Sequence, residues 1–360
     1  MKLLYPISFI YRIIIFFRNK FFDWGIFKEK EYPIPIICVG NITVGGTGKT
    51  PHVEYLIELL RSKYKIAVLS RGYKRKTHGF ILAKPGCDGA IIGDEPFQLF
   101  LKYQDILVAV DKKRQNGIDT LLSLGETDRP EIILLDDAFQ HRYVKPGLSI
   151  LLMNYNSMPY EDALLPVGLL REPIGAKKRA DIVLITKCDE NIKPIDILLI
   201  KKRLNLFPYQ FVFFTKFKYA DLYPVFKEVC QTSYSIEYIC QNFQILLVTG
   251  IASSEIMRKD LEKKGCSISH HLKYNDHHWY TIQDIKKISE IFNAINFPQK
   301  IILTTEKDAV KIQKLECVQE LKESIFYLPI QVSFLNEGEI DFNNLIENYV
   351  ITDKRNSIFS

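Results

Sequence analysis

A lysine and a hydroxyl side chain placed directly behind a glycine-rich turn can hold a polyphosphate, and residues 43–50 have that form. They read Thr43, Val44, Gly45, Gly46, Thr47, Gly48, Lys49 and Thr50, and Pro51 follows. Glycines let successive backbone N–H groups turn inward and approach phosphate oxygens closely. Lys49 supplies a mobile cation for the β- and γ-phosphates of ATP, and the Thr50 hydroxyl is a ligand for Mg2+. The general pattern GxxxxGK[ST] has Thr43 where its first glycine would stand, so Gly45 and Gly46 are expected to carry the tight turn. A glycine-rich turn that binds nothing is the bland alternative, and the lysine and threonine weigh against it.

A second acidic centre lies downstream. The apolar run 132–135 (IILL) ends in Asp136 and Asp137, with no basic neighbour before Arg142. Two adjacent carboxylates are costly unless a cation sits nearby. With Lys49 and Thr50 upstream, they read as organisers of Mg2+ rather than as a solvated turn.

Strands must hold these groups in place. The β-prone run 32–39 leads into the glycine loop, and Val53, Leu56, Ile57 and Leu60 recur behind it at helical spacing. The helix start adds partial positive charge, and Pro51 falls where its missing N–H costs nothing. Further apolar runs cover 66–69, 106–110, 132–135, 148–153, 182–185, 211–214, 245–249 and 300–304, with helical patterns between many of them. The expected fold is α/β: a P-loop NTPase-like, mainly parallel sheet with helices on both faces, plus a second smaller α/β domain. The boundaries expected are 1–30 for an N-terminal membrane-interface helix, 31–210 for the P-loop core and 211–360 for the smaller α/β domain that completes the cleft. Sheets of this kind bind ligands at strand C-terminal ends, where the motifs fall. The strand run ending at Thr186, followed by Lys187, has the fold-level look of a nucleotide-base loop.

The 360-residue chain has 47% hydrophobic and 25% charged residues, as a folded globular chain does. Its formal charge of +6 suits phosphate groups or an anionic bilayer, and no dense basic stripe suggests nucleic acid. The seven cysteines form no CxxC pair, which reads as reduced thiols in a cytoplasmic compartment. Residues 7–17 (ISFIYRIIIFF) are almost wholly apolar, and Arg18, Lys20, Lys28 and Lys30 follow. Eleven helical residues reach about 16 Å, roughly half a bilayer's hydrocarbon core. A helix lying at the membrane interface and a helix packed on the protein's own core are both open.

The ordered motifs resemble the tetraacyldisaccharide 4′-kinase family. They are VGNITVGGTGKTP (39–51), LSRGYKR (69–75), GDEP (93–96), DDAFQH (136–141), LLPVGLLREP (164–173), DHHWY (276–280) and TEKDAVK (305–311). The resemblance implies transfer of the γ-phosphate of ATP, with Mg2+, to the 4′-hydroxyl of a lipid-linked disaccharide 1-phosphate. It also implies work at the cytoplasmic face of the bacterial inner membrane, with no obligate protein partner evident. Ala138 replaces the glycine usual in DDGFQH, and Val167 and Leu169 vary the usual LLPAGPLREP.

An attacking hydroxyl must lose its proton, and a positioned carboxylate or imidazole can accept it. Asp94 resembles the family's catalytic aspartate and His277 its partner, and which of them takes the proton stays open. Asp94 also looks like a helix N-cap. His270, His271, His277 and His278 leave a metal cluster as a lesser alternative. Arg171 is a candidate phosphate clamp and Glu172 a candidate Mg2+ ligand, against a surface ion pair. Arg71, Arg75 and Arg114 are candidates for the anionic sugar phosphate. If Asp94 and His277 sit on different domains, closure of a cleft is expected to complete the site. A P-loop GTPase or ATPase serving as a switch or metallochaperone is the competing class, kept open by TKCD at 186–189, with a soluble nucleotide or sugar kinase as a weaker option.

Overall fold

The computed structural model describes residues 4–251, 254–276, 278–315 and 318–358. Contacts divide the chain into two compact units, Met1–Phe217 with Val332–Ser360, and Lys218–Gln331.

The first unit is built on strands whose residues are apolar on both faces, as a parallel sheet covered by helices requires. They are β1 (Ile36–Asn41), β2 (Ile66–Ser70), β3 (Ile81–Leu82), β4 (Leu107–Val110), β5 (Ile132–Asp136), β6 (Leu148–Asn154), β7 (Ile182–Thr186) and β8 (Phe211–Tyr219). The second unit contributes β9 (Tyr223–Pro224), β10 (Gln244–Thr249), β11 (Ser267–Lys273), β12 (Lys300–Thr305) and β13 (Ile325–Leu328), and β14 (Ile330–Phe334) leads the chain back. The large sheet has the order β14-β8-β7-β6-β1-β5-β2-β4-β3. β1 lies parallel between β5 and β6. The chain therefore moves outward in opposite directions from β1, the arrangement that opens a crevice at the strand C-terminal ends.

Side chains alternate between the two faces. Ile37 and Val39 join Val53, Leu56, Ile57 and Leu60 of helix α2 in one core. Ile36 and Cys38 join Ile118 and Leu121 in another. Helix α1 is Tyr5–Asp23, α2 Lys49–Leu60, α3 Gly89–Ile92, α4 Asp94–Lys102, α5 Arg114–Leu122 and α6 Pro194–Leu204. The final helix, Gly338–Ile358, packs Phe342, Ile346 and Val350 into the same core as α2.

The second unit has a five-stranded sheet, β11-β10-β12-β13-β9, parallel except for β9. Its Asp308 accepts from Thr305 Oγ1 at 2.7 Å and from the Gly250 amide at 2.8 Å. That buried aspartate ties the start of one helix to the end of β10, which gives the TEKDAVK segment a bracing role.

The α/β architecture expected from the sequence is present. The division at residue 210 differs from the contacts: β8 continues the large sheet beside β7, and the return through β14 brings 332–360 into the first unit. Cysteine chemistry also departs from expectation, because Cys240 and Cys266 are disulfide-bonded. Cys38, Cys87, Cys188 and Cys230 are free thiols, and Cys317 lies outside the described residues.

Candidate active site

β1 delivers the chain to the phosphate loop, and side chains from its own last residue and from two other segments hold the loop in place. Asn41 Nδ2 donates to Thr47 Oγ1 at 3.0 Å, Thr186 Oγ1 donates to the Thr47 carbonyl at 2.8 Å, and Gln140 Nε2 donates to the Asn41 carbonyl at 2.6 Å. Gly45 has φ +113° and Gly48 has φ +85°. At Gly48 a Cβ would also stand 2.5 Å from the Phe217 ring, so glycine is required twice over. The tight turn thus falls at Gly45 and Gly48, not at Gly46. A Cβ on Gly46 would instead stand 3.8 Å from Lys187 Nζ. Lys187 is half-buried with φ 57°, and burial lowers its pKa. Its approach to the loop is a contact that the sequence suggested only as a base-loop analogy.

Lys49 and Thr50 open α2. His52, one turn into the helix, is buried and spans two elements: Nδ1 lies 2.7 Å from the Gly48 carbonyl and Nε2 lies 3.0 Å from Thr215 Oγ1. A proton on Nδ1 satisfies both contacts in the neutral ring, and burial pushes the pKa down to about 4. An unfolded histidine titrates near pH ~6.5. Between those values the unfolded chain binds a proton that the folded chain refuses, so stability falls as pH drops through this window. Urea midpoints of His52→Gln minus wild type, measured from pH 7 to 4, are expected to remove up to about 3 kcal/mol of that slope. Parallel profiles for the two proteins overturn the assignment.

The acids sit on the neighbouring strand. Asp136 ends β5, and Asp137 follows in a left-handed conformation with φ 49°. Lys49 Nζ is 3.4 Å from Asp137 Oδ1, and Arg171 Nη1 donates to Oδ1 and Oδ2 at 3.3 and 3.2 Å. Burial works to raise the Asp137 pKa, but the two cations outweigh it and hold the carboxyl below its ordinary value. Asp136 is only 3% exposed, and its Oδ1 has no hydrogen-bond partner. Burial, then Glu95 and Asp137, push its pKa up to about 7. A buried, unpartnered carboxylate oxygen is a group that a divalent cation would fit. Mg2+ keeps most of its ligands as water and phosphate oxygens, so one hydroxyl and one carboxylate would be enough protein ligands for it.

The segment 164–173 lies directly against the loop. Val44 N donates to the Leu169 carbonyl at 2.7 Å, and Arg171 N donates to the Ile42 carbonyl at 2.8 Å. Glu172 is fully buried and accepts from Arg179 Nη2 at 2.8 Å, leaving Oε1 without a partner.

The remaining candidates have different fates. Arg114 is 2% exposed and donates to the carbonyls of Asp111 (2.8 Å) and Asp136 (3.2 Å). It braces the end of β5 from inside, which corrects the expectation of an anion-facing arginine. Arg75 donates to the Gly79 carbonyl at 2.6 Å, and Arg71 is exposed. Gly93, with φ 94°, takes the N-cap position of α4, so Asp94 is the first helical residue and not its cap. His277 lies outside the described residues. His278 stacks on Tyr274 at 4.5 Å and lies 3.1 Å from Asp284. Among the described residues, no three His, Cys, Asp or Glu side chains gather as a metal cage needs.

A phosphate loop on the central strand, a lysine at its end and paired acids on the adjacent strand define a P-loop phosphotransferase. The model of the tetraacyldisaccharide-1-P 4′-kinase family matches residues 1–350, and the chain belongs to that family. It is 48% identical to the tetraacyldisaccharide 4′-kinase of Phocaeicola vulgatus, over 100% of this chain and 98% of the relative. The tetraacyldisaccharide 4′-kinase of Flavobacterium psychrophilum is 44% identical, over 99% and 98%. LpxK from Aquifex aeolicus, solved as an "apo" form in complex with ATP, superposes with a TM-score of 0.76 at 29% identity, covering 97% of this chain and 99% of that one.

Proposed function

We propose that this chain transfers the γ-phosphate of ATP to the 4′-hydroxyl of a tetraacyldisaccharide 1-phosphate at a membrane surface. The observation that supports this most directly is the Lys49–Asp137–Arg171 cluster beside the unpartnered Asp136 oxygen, at the mouth of the phosphate loop.

The roles follow from the chemistry. Loop amides and Lys49 bind the β- and γ-phosphates, and Lys187 adds a second cation at Gly46. Thr50 and Asp136 are the proposed ligands of Mg2+, with Glu172 a further candidate, and a bound ion would neutralise charge on the phosphate oxygens. Asp137 holds Lys49 and Arg171 in position. Asp94 receives the proton of the attacking hydroxyl. The hydroxyl oxygen bonds to the γ-phosphorus, the bond to the β,γ-bridging oxygen breaks, and ADP leaves. Arg71 and Arg75 are the proposed contacts for the sugar phosphate.

Among the described residues, no helix is long and apolar enough to cross a membrane. Phe9, Ile10, Ile13, Ile14, Phe16 and Phe17 of α1 are all exposed. We assign this face to the bilayer interface, on the cytoplasmic side of the inner membrane where ATP is available.

Purified chain, labelled ATP and tetraacyldisaccharide 1-phosphate in mixed micelles test the reading. Label is expected in the lipid. Its absence, with Mg·ATP binding intact by calorimetry, rejects the acceptor and leaves the nucleotide site standing.

A further inference from the structure

Helix α1 is amphipathic in the opposite sense to an ordinary surface helix. Its exposed face is the apolar one. The residues turned toward the protein are Ser8, Tyr11, Ile15, Arg18, Asn19 and Phe22, which recur at helical spacing and are mostly polar. These polar groups contact the segments that build the site. Ser8 Oγ donates to the Leu164 carbonyl at 2.9 Å, and the Tyr11 hydroxyl donates to the Arg171 carbonyl at 2.8 Å. Asn19 Nδ2 lies 3.4 Å from Glu172 Oε2. Arg18 donates to the Gln140 carbonyl, and the Gln140 side chain in turn holds the carbonyl of Asn41 at the root of the phosphate loop.

We propose that α1 is a positioning element of the active site, in which Tyr11, Arg18 and Asn19 hold the Arg171–Glu172 turn and Gln140 while the opposite face of the same helix meets the bilayer. Physical economy supports it. A helix that served only as an anchor needs apolar residues outward and an apolar seam inward. Here the inward seam uses hydrogen bonds to main-chain carbonyls and to a buried carboxylate. Such contacts are directional, and losing one leaves a buried group unsatisfied. Tyr11 sets the backbone of the residue that grips Asp137. Asn19 shares Glu172 with Arg179, which fixes where the free Glu172 oxygen points.

The inference rests on the transfer reaction only for its first readout. In mixed micelles, where bilayer docking is not required, the double variant Tyr11→Phe/Asn19→Ala is expected to lose kcat by about tenfold. It also needs several-fold more Mg2+ for half-maximal rate, with little change in KM for the lipid. The same variant keeps wild-type binding to vesicles of anionic phospholipid, whereas Phe9→Ser/Phe16→Ser loses it. Wild-type kcat and Mg2+ dependence in the Tyr11→Phe/Asn19→Ala protein overturn the proposal. Should that protein fail to fold, Asn19→Asp is the second variant: it preserves shape, sets a like charge against Glu172, and is expected to raise the Mg2+ requirement further, and an unchanged requirement overturns the proposal equally. If the wild type transfers nothing to lipid, Mg·ATP affinity by calorimetry carries the same comparison: weaker binding in Tyr11→Phe/Asn19→Ala supports the positioning role, and equal binding removes it.

Discussion

Replacing Lys49 by alanine is expected to lower phosphate transfer by about a thousandfold or more while the protein stays folded. In the proposed mechanism, charge on the transferred group is stabilised by positioned donors in a partly dry site, where one lost donor costs on the order of a hundred- to a thousandfold in kcat. Lys49 carries a second burden. Its amine lies 3.4 Å from Asp137, whose other cation is Arg171. Removing the lysine leaves Asp137 closer to net negative, beside the position of the incoming phosphates, so repulsion adds to lost attraction. Lys49→Arg restores little, because a broad planar fork does not reproduce a compact ammonium at the helix start. Steady-state rates in micelles, with circular dichroism as the folding control, decide the matter. A loss of less than tenfold would falsify the assignment of Lys49 to the phosphates.

Much of this was legible in the sequence, for identifiable reasons. The nine apolar runs became strands because each is a short, nearly continuous hydrophobic stretch between turn signals, the mark of strands covered on both faces. β11 was missed because its sequence, SISHHLK, is polar and lies at a sheet edge, where only partial burial is needed. β3 and β9 are two residues long and carry no periodicity. The phosphate loop and the acid pair were legible because their chemistry is local. Arg114 misled because its burial depends on α5 docking against the end of β5, a fact about packing that a lone arginine does not announce. The inward face of α1 was invisible for a related reason. Residues 7–17 are so apolar that the three polar positions among them read as interruptions, whereas Tyr11, and Arg18 and Asn19 just beyond, are the contacts that seat the helix. The inward face is packed on the protein through these contacts, and the interface reading is the one proposed for the exposed face.

Asp136→Asn is expected to abolish activity and to stabilise the protein. The carboxyl is buried, one oxygen has no partner, and burial, Glu95 and Asp137 all oppose its ionisation. Its pKa, pushed up to about 7, lies above the value near ~3.9 of an unfolded aspartate. The folded chain therefore holds the proton longer than the unfolded chain. The stabilising contribution is present below about pH 4 and is lost as pH rises toward 7. At pH 8 and without Mg2+, wild type carries an ionised group that its surroundings disfavour, and asparagine removes that group at nearly constant shape. A gain in stability is expected there, shrinking to nothing near pH 4. His52 slopes the other way across much of the same range, so the informative quantity is variant minus wild type at each pH. Activity should move in the opposite direction, falling by about a thousandfold, because the removed charge is the one proposed to hold Mg2+ against the phosphates. Mg·ATP should raise the melting temperature of wild type far more than that of the variant. A site residue kept at a cost to stability is explained by what it binds. If Asp136→Asn is less stable at pH 8, or keeps more than about a tenth of the rate, Asp136 is a structural acid and the ion is held elsewhere.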